Sequence, residues 1–212
     1  MKKIKVLLGV ISNRGSMPTY FVKDLFELFE YSRSNGIKAD IRTFDAVEVQ
    51  QMRNKCCNHA IDEGYDYVFM LDDDMTYPRD TLVKFLKHDK DFVVGSATQR
   101  IYPFFPTQYK KFSKEKFKEG DNRVFITKES KNLIEVGSSG VVGALIKVKC
   151  FEKLKKPYFK LEYHKDGVNI TGSDVYFCKQ LTENKISLFL DPTVNYNHEI
   201  LAFHNSFGIN LL

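Results

Sequence analysis

Apolar residues along the chain follow two alternating patterns, and the order of these patterns predicts the fold. Short apolar runs, either unbroken or alternating with polar residues, predict strands at 4–11, 37–44, 68–71, 91–97 and 186–190. Apolar positions with a period of 3.6 predict helices at 18–35, 49–64, 78–88 and 171–184. Strands and helices that alternate in this order predict a doubly wound α/β domain, with a mostly parallel sheet flanked by helices.

Two stretches depart from this alternation. Residues 99–130 are rich in aromatic residues, prolines and lysines and show no clear period. A segment of that length inside a compact domain is usually a functional loop or lid. Residues 133–148 are apolar but interrupted by glycines, which favours a strand that is approached closely by a ligand or by other backbone.

Length and composition are those of a globular domain. At 212 residues and 24.6 kDa, with 43% hydrophobic residues, the chain suits one domain over 1–212. Its net charge of +5 is mild and lacks the dense lysine and arginine clusters of nucleic-acid binders, so a nucleic-acid partner is not expected. The four cysteines form no CxxC pair and are expected to be reduced thiols.

No membrane or export segment is expected either. The first apolar run is broken by Lys5 and is followed by Asn13-Arg14 rather than by the small residues of a cleavage site. No run approaches the roughly 20 apolar residues that cross a bilayer. We therefore expect a cytoplasmic protein.

Three adjacent acids, Asp72, Asp73 and Asp74, follow the apolar run 68–71. Carboxylates at the end of a buried strand repel one another and lose hydration, unless a cation offsets that cost. Mg²⁺ and Mn²⁺ take oxygen ligands of this kind. On an extended chain Asp72 and Asp74 would point the same way and Asp73 the opposite way. The alternative is a solvated turn in which Pro78 opens the next helix.

This layout resembles the GT-A fold of nucleotide-sugar glycosyltransferases, in particular the family 2-like members with a DxD motif. Four features carry the resemblance: Leu71-Asp72-Asp73-Asp74 is similar to DxD, Arg53-Asn54 to an R-N segment one helix earlier, Gly172-Ser173-Asp174 to an acidic helix start, and His198 to a late metal ligand. Two features depart from the family pattern. Ser173 stands where an acid is usual, and 99–130 matches no known motif.

The resemblance implies a metal-dependent transfer of a sugar from a UDP- or GDP-sugar to an acceptor hydroxyl that the sequence does not identify. Residues 1–98 would form the donor-binding half and 99–212 the acceptor-side half. The implied metal is Mn²⁺ or Mg²⁺, held by Asp72, Asp74 and His198. The implied donor-binding residues are Ser12, Asn13, Arg53, Asp72 and Asp73. The implied catalytic base is Asp174.

Elementary physical chemistry supports two of these roles and leaves an alternative to each. Arg53 falls within the apolar stripe of its helix, so its charge needs an anion, either the donor diphosphate or a carboxylate of the protein. A side chain that reaches out to solvent is the other possibility. Asp174 lies in the first turn of a helix, where the helix dipole favours the ionised form that a base needs. A purely structural cap has the same position.

Three other functions compete. The run Asp72-Asp73-Asp74-Met75-Thr76 also fits the DxDxT motif of haloacid-dehalogenase-type phosphatases, although that motif normally follows the first strand. A non-catalytic nucleotide-sugar-binding module would keep the same fold. A sugar-phosphate nucleotidyltransferase is disfavoured, since the first loop lacks a glycine-rich run. The donor sugar, the acceptor, the stereochemical outcome and the oligomeric state cannot be predicted from the sequence.

Overall fold

The computed structural model describes residues 3–110, 122–163, 165, 167, 170–200, 202–205 and 208–211. The helices are α1 (Thr19–Ser34), α2 (Val49–Asp62), α3 (Thr81–Lys87) and α4 (Ser173–Glu183). The strands of the main sheet are β1 (Lys5–Ile11), β2 (Lys38–Phe44), β3 (Tyr67–Asp72), β4 (Phe92–Ser96), β5 (Ile134–Val136), β6 (Ala144–Lys147) and β9 (Leu188–Asn195). Two small antiparallel pairs lie outside it, β7 (Glu162–Tyr163) with β8 (Ile170–Thr171), and β10 (Ala202–Asn205) with β11 (Gly208–Leu211).

The main sheet has seven strands in the order β2-β1-β3-β6-β4-β9-β5. Strands β2, β1, β3, β4 and β9 run in one direction, whereas β6 and β5 run in the other. The mostly parallel α/β sheet predicted from the sequence is therefore confirmed. Its antiparallel strand β6, inserted between β3 and β4, was not predicted.

Helices cover both faces of this sheet, because successive side chains of each strand point to opposite sides. Even-numbered residues of β1 and odd-numbered residues of β3 pack with α1 and α3. Leu7 of β1 and the even-numbered Val68 and Met70 of β3 pack with α2 and α4. The same alternation determines on which face of the sheet each polar residue just beyond a strand end lies.

Gly9 brings α2 close to β1. A β-carbon at this position would lie 2.3 Å from the sulfur of Cys56, so a larger residue would push the helix away. This close contact fixes α2 against the sheet one turn from Arg53. All four cysteines are buried and free, as predicted from their spacing.

The glycine-rich stretch 133–148 is not one strand, contrary to the sequence-based prediction. It forms β5 and β6, which are separated by a loop that ends at Gly143. Gly143 has a φ of +62°, a left-handed conformation that ends any extended run before it. Its N–H donates to the carbonyl of Met70, and Tyr196 packs where a side chain would be. The middle of the stretch predicted as a strand is therefore a loop.

Two further element boundaries differ from the prediction. Helix α3 begins at Thr81, because Pro78 to Asp80 form a turn before it. Strand β9 continues to Asn195, past Pro192, and is not the last strand. Strand β5 pairs with β9 only as far as Leu190. Pro192 therefore lies beyond this pairing, where its lack of a backbone N–H costs no hydrogen bond to β5.

The stretch 99–130 is only partly described, since 111–121 lie outside the described residues. Its two described flanks are held to each other and to the loop after β5 by backbone hydrogen bonds that involve Gln108, Tyr109 and Lys110. Gln108 is fully buried. In the described part of the chain, no helix combines the length and the apolar character needed to cross a bilayer.

Candidate functional site

The predicted site residues meet where β1 and β3 end. Asp72 continues the face of Val68 and Met70, toward α2 and α4, which carry Arg53 and Asp174. Asp73 continues the opposite face and meets Ser12, which follows the same face of β1. The strand ends at Asp72, so Asp73 and Asp74 belong to a turn instead of an extended segment. The three carboxylates consequently have three different sets of partners.

The first set is a buried arrangement of one cation between two anions. Arg53 has only 5% of its side chain exposed and pairs with both Asp72 and Asp174. Its Nη2 lies 3.0 Å from Asp72 Oδ2, and its Nη1 donates to Asp174 Oδ1. The backbone N–H of Val141 donates to the other oxygen of Asp174 at 3.0 Å. The loop after β5, helix α2 and helix α4 are thereby joined at the edge of the sheet.

Burial and charge act in opposite directions on this group. Burial by itself lowers the pKa of Arg53, but the charges of Asp174 and Asp72 outweigh it and raise the pKa above its ordinary value. Burial raises the pKa of Asp72, and Arg53 offsets only part of that rise. Among the described residues, Oδ1 of Asp72 and Nε of Arg53 are buried without a hydrogen-bond partner. Such unpartnered polar atoms are uncommon in folded proteins and are typical of sites that take up a ligand or water.

The second set surrounds Asp73. The hydroxyl of Ser12 donates to Asp73 Oδ2 at 2.5 Å, and the guanidinium Nε of Arg14 lies 3.5 Å from Oδ1. Arg14 also pairs with Glu199 at 2.9 Å, which connects the loop after β1 to the segment after β9. Asn13, between Ser12 and Arg14, is exposed.

The third set surrounds Asp74. Arg100 Nη1 and His198 Nε2 lie 3.1 Å and 3.4 Å from Asp74 Oδ2. Burial by itself raises the pKa of Asp74, but the hydrogen bond and charge of His198 and the charge of Arg100 lower it below the ordinary value. Burial by itself lowers the pKa of His198, but hydrogen bonds with Asp74 and the Thr98 carbonyl raise it.

The position and tautomer of His198 are set by backbone contacts. Met75 forms a β-bridge with His198, and the N–H of Glu199 donates to the Asp74 carbonyl at 2.8 Å. The carbonyl of Thr98 accepts from Nδ1 of His198 at 2.8 Å. A neutral imidazole with its proton on Nδ1 presents the lone pair of Nε2 to the Asp74 carboxylate. That arrangement is favourable only when a proton or a metal ion lies between the two groups.

The side chains of Asp74 and His198 are of the types that bind metal ions, but the described side chains are not arranged around a common metal position. Within the described residues, no group of three or more His, Cys, Asp or Glu side chains is placed to hold a metal ion. Asp74 and His198 face each other, whereas Asp72 is held by Arg53. The Thr98 carbonyl accepts from Nδ1 of His198, and a contact of this kind on the far nitrogen orients histidine ligands in metal sites. Oxygen and imidazole donors together suit Mn²⁺.

Four residues of this site were missed by the sequence-based prediction: Arg14, Tyr20, Arg100 and Glu199. The hydroxyl of Tyr20 is buried without a partner among the described residues, and its pKa is raised by burial and by the charge of Glu199. The site thus holds five carboxylates, three guanidinium groups and one histidine, which leaves an excess of negative charge. Arg14 lies next to Asn13 and Glu199 lies next to His198, and this proximity to predicted site residues was the sequence signal for these two, whereas Tyr20 and Arg100 had none.

Known structures share this fold. A197 from STIV matches with a TM-score of 0.56 and 19% identity, over 93% of this chain and 87% of that chain. A mutant of Drosophila β-1,4-galactosyltransferase 7 in complex with manganese, UDP-Gal and xylobiose matches with a TM-score of 0.51 and 12% identity, over 96% of this chain and 72% of the other. GalNAc-T7 with UDP, GalNAc and Mn²⁺ matches with a TM-score of 0.51 and 11% identity, over 92% of this chain but only 44% of its own length.

No protein-family model matches the sequence, and no curated protein is detectably similar to it. At these identities the structural matches establish the fold alone. The GT-A-like fold that the sequence resemblance predicted is confirmed, and it is shared with nucleotide-sugar transferases.

Proposed function

We propose that this protein is a metal-dependent glycosyltransferase that moves a sugar from a nucleoside-diphosphate sugar to an acceptor hydroxyl. One observation carries the proposal: Asp72, Asp74, Asp174 and His198 converge at the carboxyl ends of β1 and β3. In open α/β sheets ligands bind at that edge. The fold is shared with two glycosyltransferases whose structures contain manganese and a uridine nucleotide.

Asp74 and His198 are the residues that would hold Mn²⁺ or Mg²⁺, and the unpartnered Oδ1 of Asp72 makes it the third candidate. When bound, the metal supplies Lewis-acid stabilisation of charge on a diphosphate leaving group. The excess of carboxylates over guanidinium groups favours uptake of a cation. Donor phosphates and water would complete the coordination, as is usual for these metals.

Donor binding draws on the residues around Asp73. Ser12 and Asn13 lie in the loop after β1, and Arg14 and Arg100 present partly exposed guanidinium groups that suit phosphate oxygens. Arg53 is already matched by two carboxylates, which was the alternative stated from the sequence. In this proposal Arg53 positions Asp72 and Asp174 and adds positive charge near the diphosphate.

Asp174 is the proposed base for the acceptor hydroxyl if the reaction inverts configuration. Its side chain is 25% exposed, so a substrate hydroxyl has access to it. Its Oδ1 accepts hydrogen bonds from Arg53 and from the Ser173 hydroxyl, and its Oδ2 accepts one from the Val141 N–H. Oδ2 therefore has a second acceptor position that remains for a substrate proton. These contacts hold the carboxylate in a fixed orientation, as a base requires.

The test is nucleotide release from a panel of UDP- and GDP-sugars with and without Mn²⁺. Wild-type protein is compared with Asp74→Asn and with Asp62→Asn, which changes an exposed acid of α2 far from the site. We expect release that needs the metal and is lost in Asp74→Asn alone. Metal-independent release, or phosphate release from a simple phosphomonoester instead, would refute the proposal and favour a phosphatase.

A further inference from the structure

Contrary to the expectation of no dense lysine cluster, two runs of the sequence are rich in lysine, 110–118 and 147–160, and the second lies at the other edge of the sheet. Residues 147–160, here called the lysine segment, contain six lysines, one glutamate and no other charged residue. Their net charge of +5 equals that of the whole chain, so the remaining residues sum to zero. Charge concentrated in this way is a recognition feature that composition alone does not reveal.

The folded structure leaves most of this charge unneutralised. Lys147 pairs with Asp89 and Asp91, and Lys160 pairs with Glu162. The other four lysines are exposed and form no ion pair with any residue that the structure describes. They are Lys149, Lys153, Lys155 and Lys156. The segment is held rigidly beneath them, because Cys150, Phe151 and Leu154 are buried in the core.

Three lysines of the segment, Lys147, Lys149 and Lys156, line a cavity that also has apolar walls. The lining of this cavity, which has a volume of about 720 Å³, includes the apolar Ile4, Ile61 and Phe151, the cations Lys3, Lys149 and Lys156, and the acids Asp66 and Glu152. Ile4 is 41% exposed and Ile61 is 36% exposed. An exposed apolar patch beside a cationic rim matches the two layers of a phospholipid surface, headgroup phosphate and acyl chain.

The composition of the surface favours lipid over nucleic acid. All six cations of the lysine segment are lysines, which act as point charges, and none is an arginine with the forked geometry that reads bases. The aromatic rings near the cavity are buried, since Tyr65 is 8% and Tyr158 is 3% exposed. Bases therefore have no exposed ring to stack on.

We propose that the lysine segment docks this protein on an anionic phospholipid surface. Lys147 is the register partner of Tyr67, where β3 begins, so the segment lies at the amino ends of the parallel strands. Asp72 lies at the other end of β3, roughly 15–20 Å away at 3.3 Å per residue. Docking through the lysine segment would thus leave the candidate site open to its substrates. The proposal does not depend on the proposed transferase activity.

Vesicle sedimentation with the full chain tests the proposal. Phosphatidylcholine vesicles with about 30 mol% phosphatidylserine are compared with phosphatidylcholine alone, at about 0.1 M and about 0.5 M NaCl. The test variant changes Lys149, Lys153, Lys155 and Lys156 to Gln. The matched control variant removes the same charge by changing four exposed lysines elsewhere to Gln, namely Lys128, Lys131, Lys179 and Lys185. Thermal melting verifies that both variants fold.

We expect binding to the phosphatidylserine vesicles alone, weaker at the higher salt. Each lysine near an anionic surface strengthens binding about fivefold, so the test variant should lose more than about a hundredfold in partition coefficient. The control variant should lose no more than a few-fold. Equal losses in the two variants, or no preference for phosphatidylserine, would overturn the proposal. The proposal would also be overturned if the protein did not bind the vesicles but bound a single-stranded oligonucleotide through these four lysines.

Discussion

Replacing Arg53 by Met tests whether the Arg53 guanidinium is a buried counter-ion that stabilises the fold or a cation that solvent could replace. The substitution keeps most of the side-chain length but leaves Asp72 and Asp174 facing each other without their shared cation. Breaking a buried ion pair by removing one partner costs about 3–5 kcal/mol, because a charge remains without compensation. Asp72 and Asp174 retain 22% and 25% side-chain exposure, so water can hydrate them in part. We therefore expect a loss near the lower end, about 3 kcal/mol.

Urea unfolding followed by circular dichroism measures this loss. With a urea dependence of about 2–3 kcal/mol per molar, 3 kcal/mol lowers the unfolding midpoint by about 1 M. The control is Lys84→Met, which removes an exposed i,i+4 pair with Asp80 and should cost less than about 1 kcal/mol. The triple variant that also changes Asp72 and Asp174 to Asn should regain much of the loss, since no buried charge is left unpaired.

Two outcomes would refute this reasoning. If Arg53→Met costs no more than Lys84→Met, then Arg53 is not the buried counter-ion that the contacts indicate. If the triple variant is as unstable as the single one, then the loss comes from packing, for example from the contact of Arg53 with the ring of Phe159 at 5.8 Å.

Three further predictions concern single carboxylates. Asp74→Asn should abolish most Mn²⁺-dependent binding of a nucleoside-diphosphate sugar in calorimetry without lowering the melting temperature much, and unchanged affinity would exclude Asp74 as a ligand. Asp174→Asn should bind donor normally and lose transfer by about 10²–10⁴-fold, whereas transfer near the parental rate would make Asp174 only a partner of Arg53. Asp191→Asn tests a pH effect: burial by itself raises the pKa of Asp191, but hydrogen bonds from His88 and Thr193 lower it below 3.8. As the pH falls, the unfolded chain therefore binds this proton at a higher pH than the folded protein does. The free energy of unfolding in urea should be larger for the wild type than for Asp191→Asn near neutral pH, and this difference should shrink below pH 3.8. A difference that stays constant down to about pH 3 would contradict this.

The sheet and the first set of site residues could be predicted from the sequence because local patterns determine them. The period of two along 68–71 places Asp72 on one face, and the period of 3.6 along α2 turns Arg53 toward the same face. These two periods were sufficient to predict that Arg53 points inward and needs an anion. They did not identify the anions, because Asp174 is 121 residues away from Arg53.

The contacts of Asp74 could not be predicted from residue patterns, because they depend on segments without a period, and only the family resemblance had grouped Asp74 with His198. His198 is placed by a backbone bridge to Met75, and Arg100 lies near the start of the stretch 99–130, whose residue pattern predicts no element. The division of 133–148 into two strands was missed for a different reason. Its apolar residues are buried in a loop as well as in strands, so hydrophobicity did not distinguish the two, and the left-handed Gly143 decides the boundary.

The three adjacent aspartates differ most in how firmly their cations are held, and that difference indicates where a metal ion would enter. Arg53 is buried between two anions and has nowhere else to place its charge, so Asp72 keeps its partner. Arg100 is 55% exposed and regains full hydration when it leaves Asp74. His198 gives up only the proton that lies between Nε2 and Asp74, while the Thr98 carbonyl keeps the ring in place. Replacing an exposed guanidinium and a proton by a divalent cation therefore costs the least free energy at Asp74, and under the proposed function the released Arg100 would be free to bind a donor phosphate.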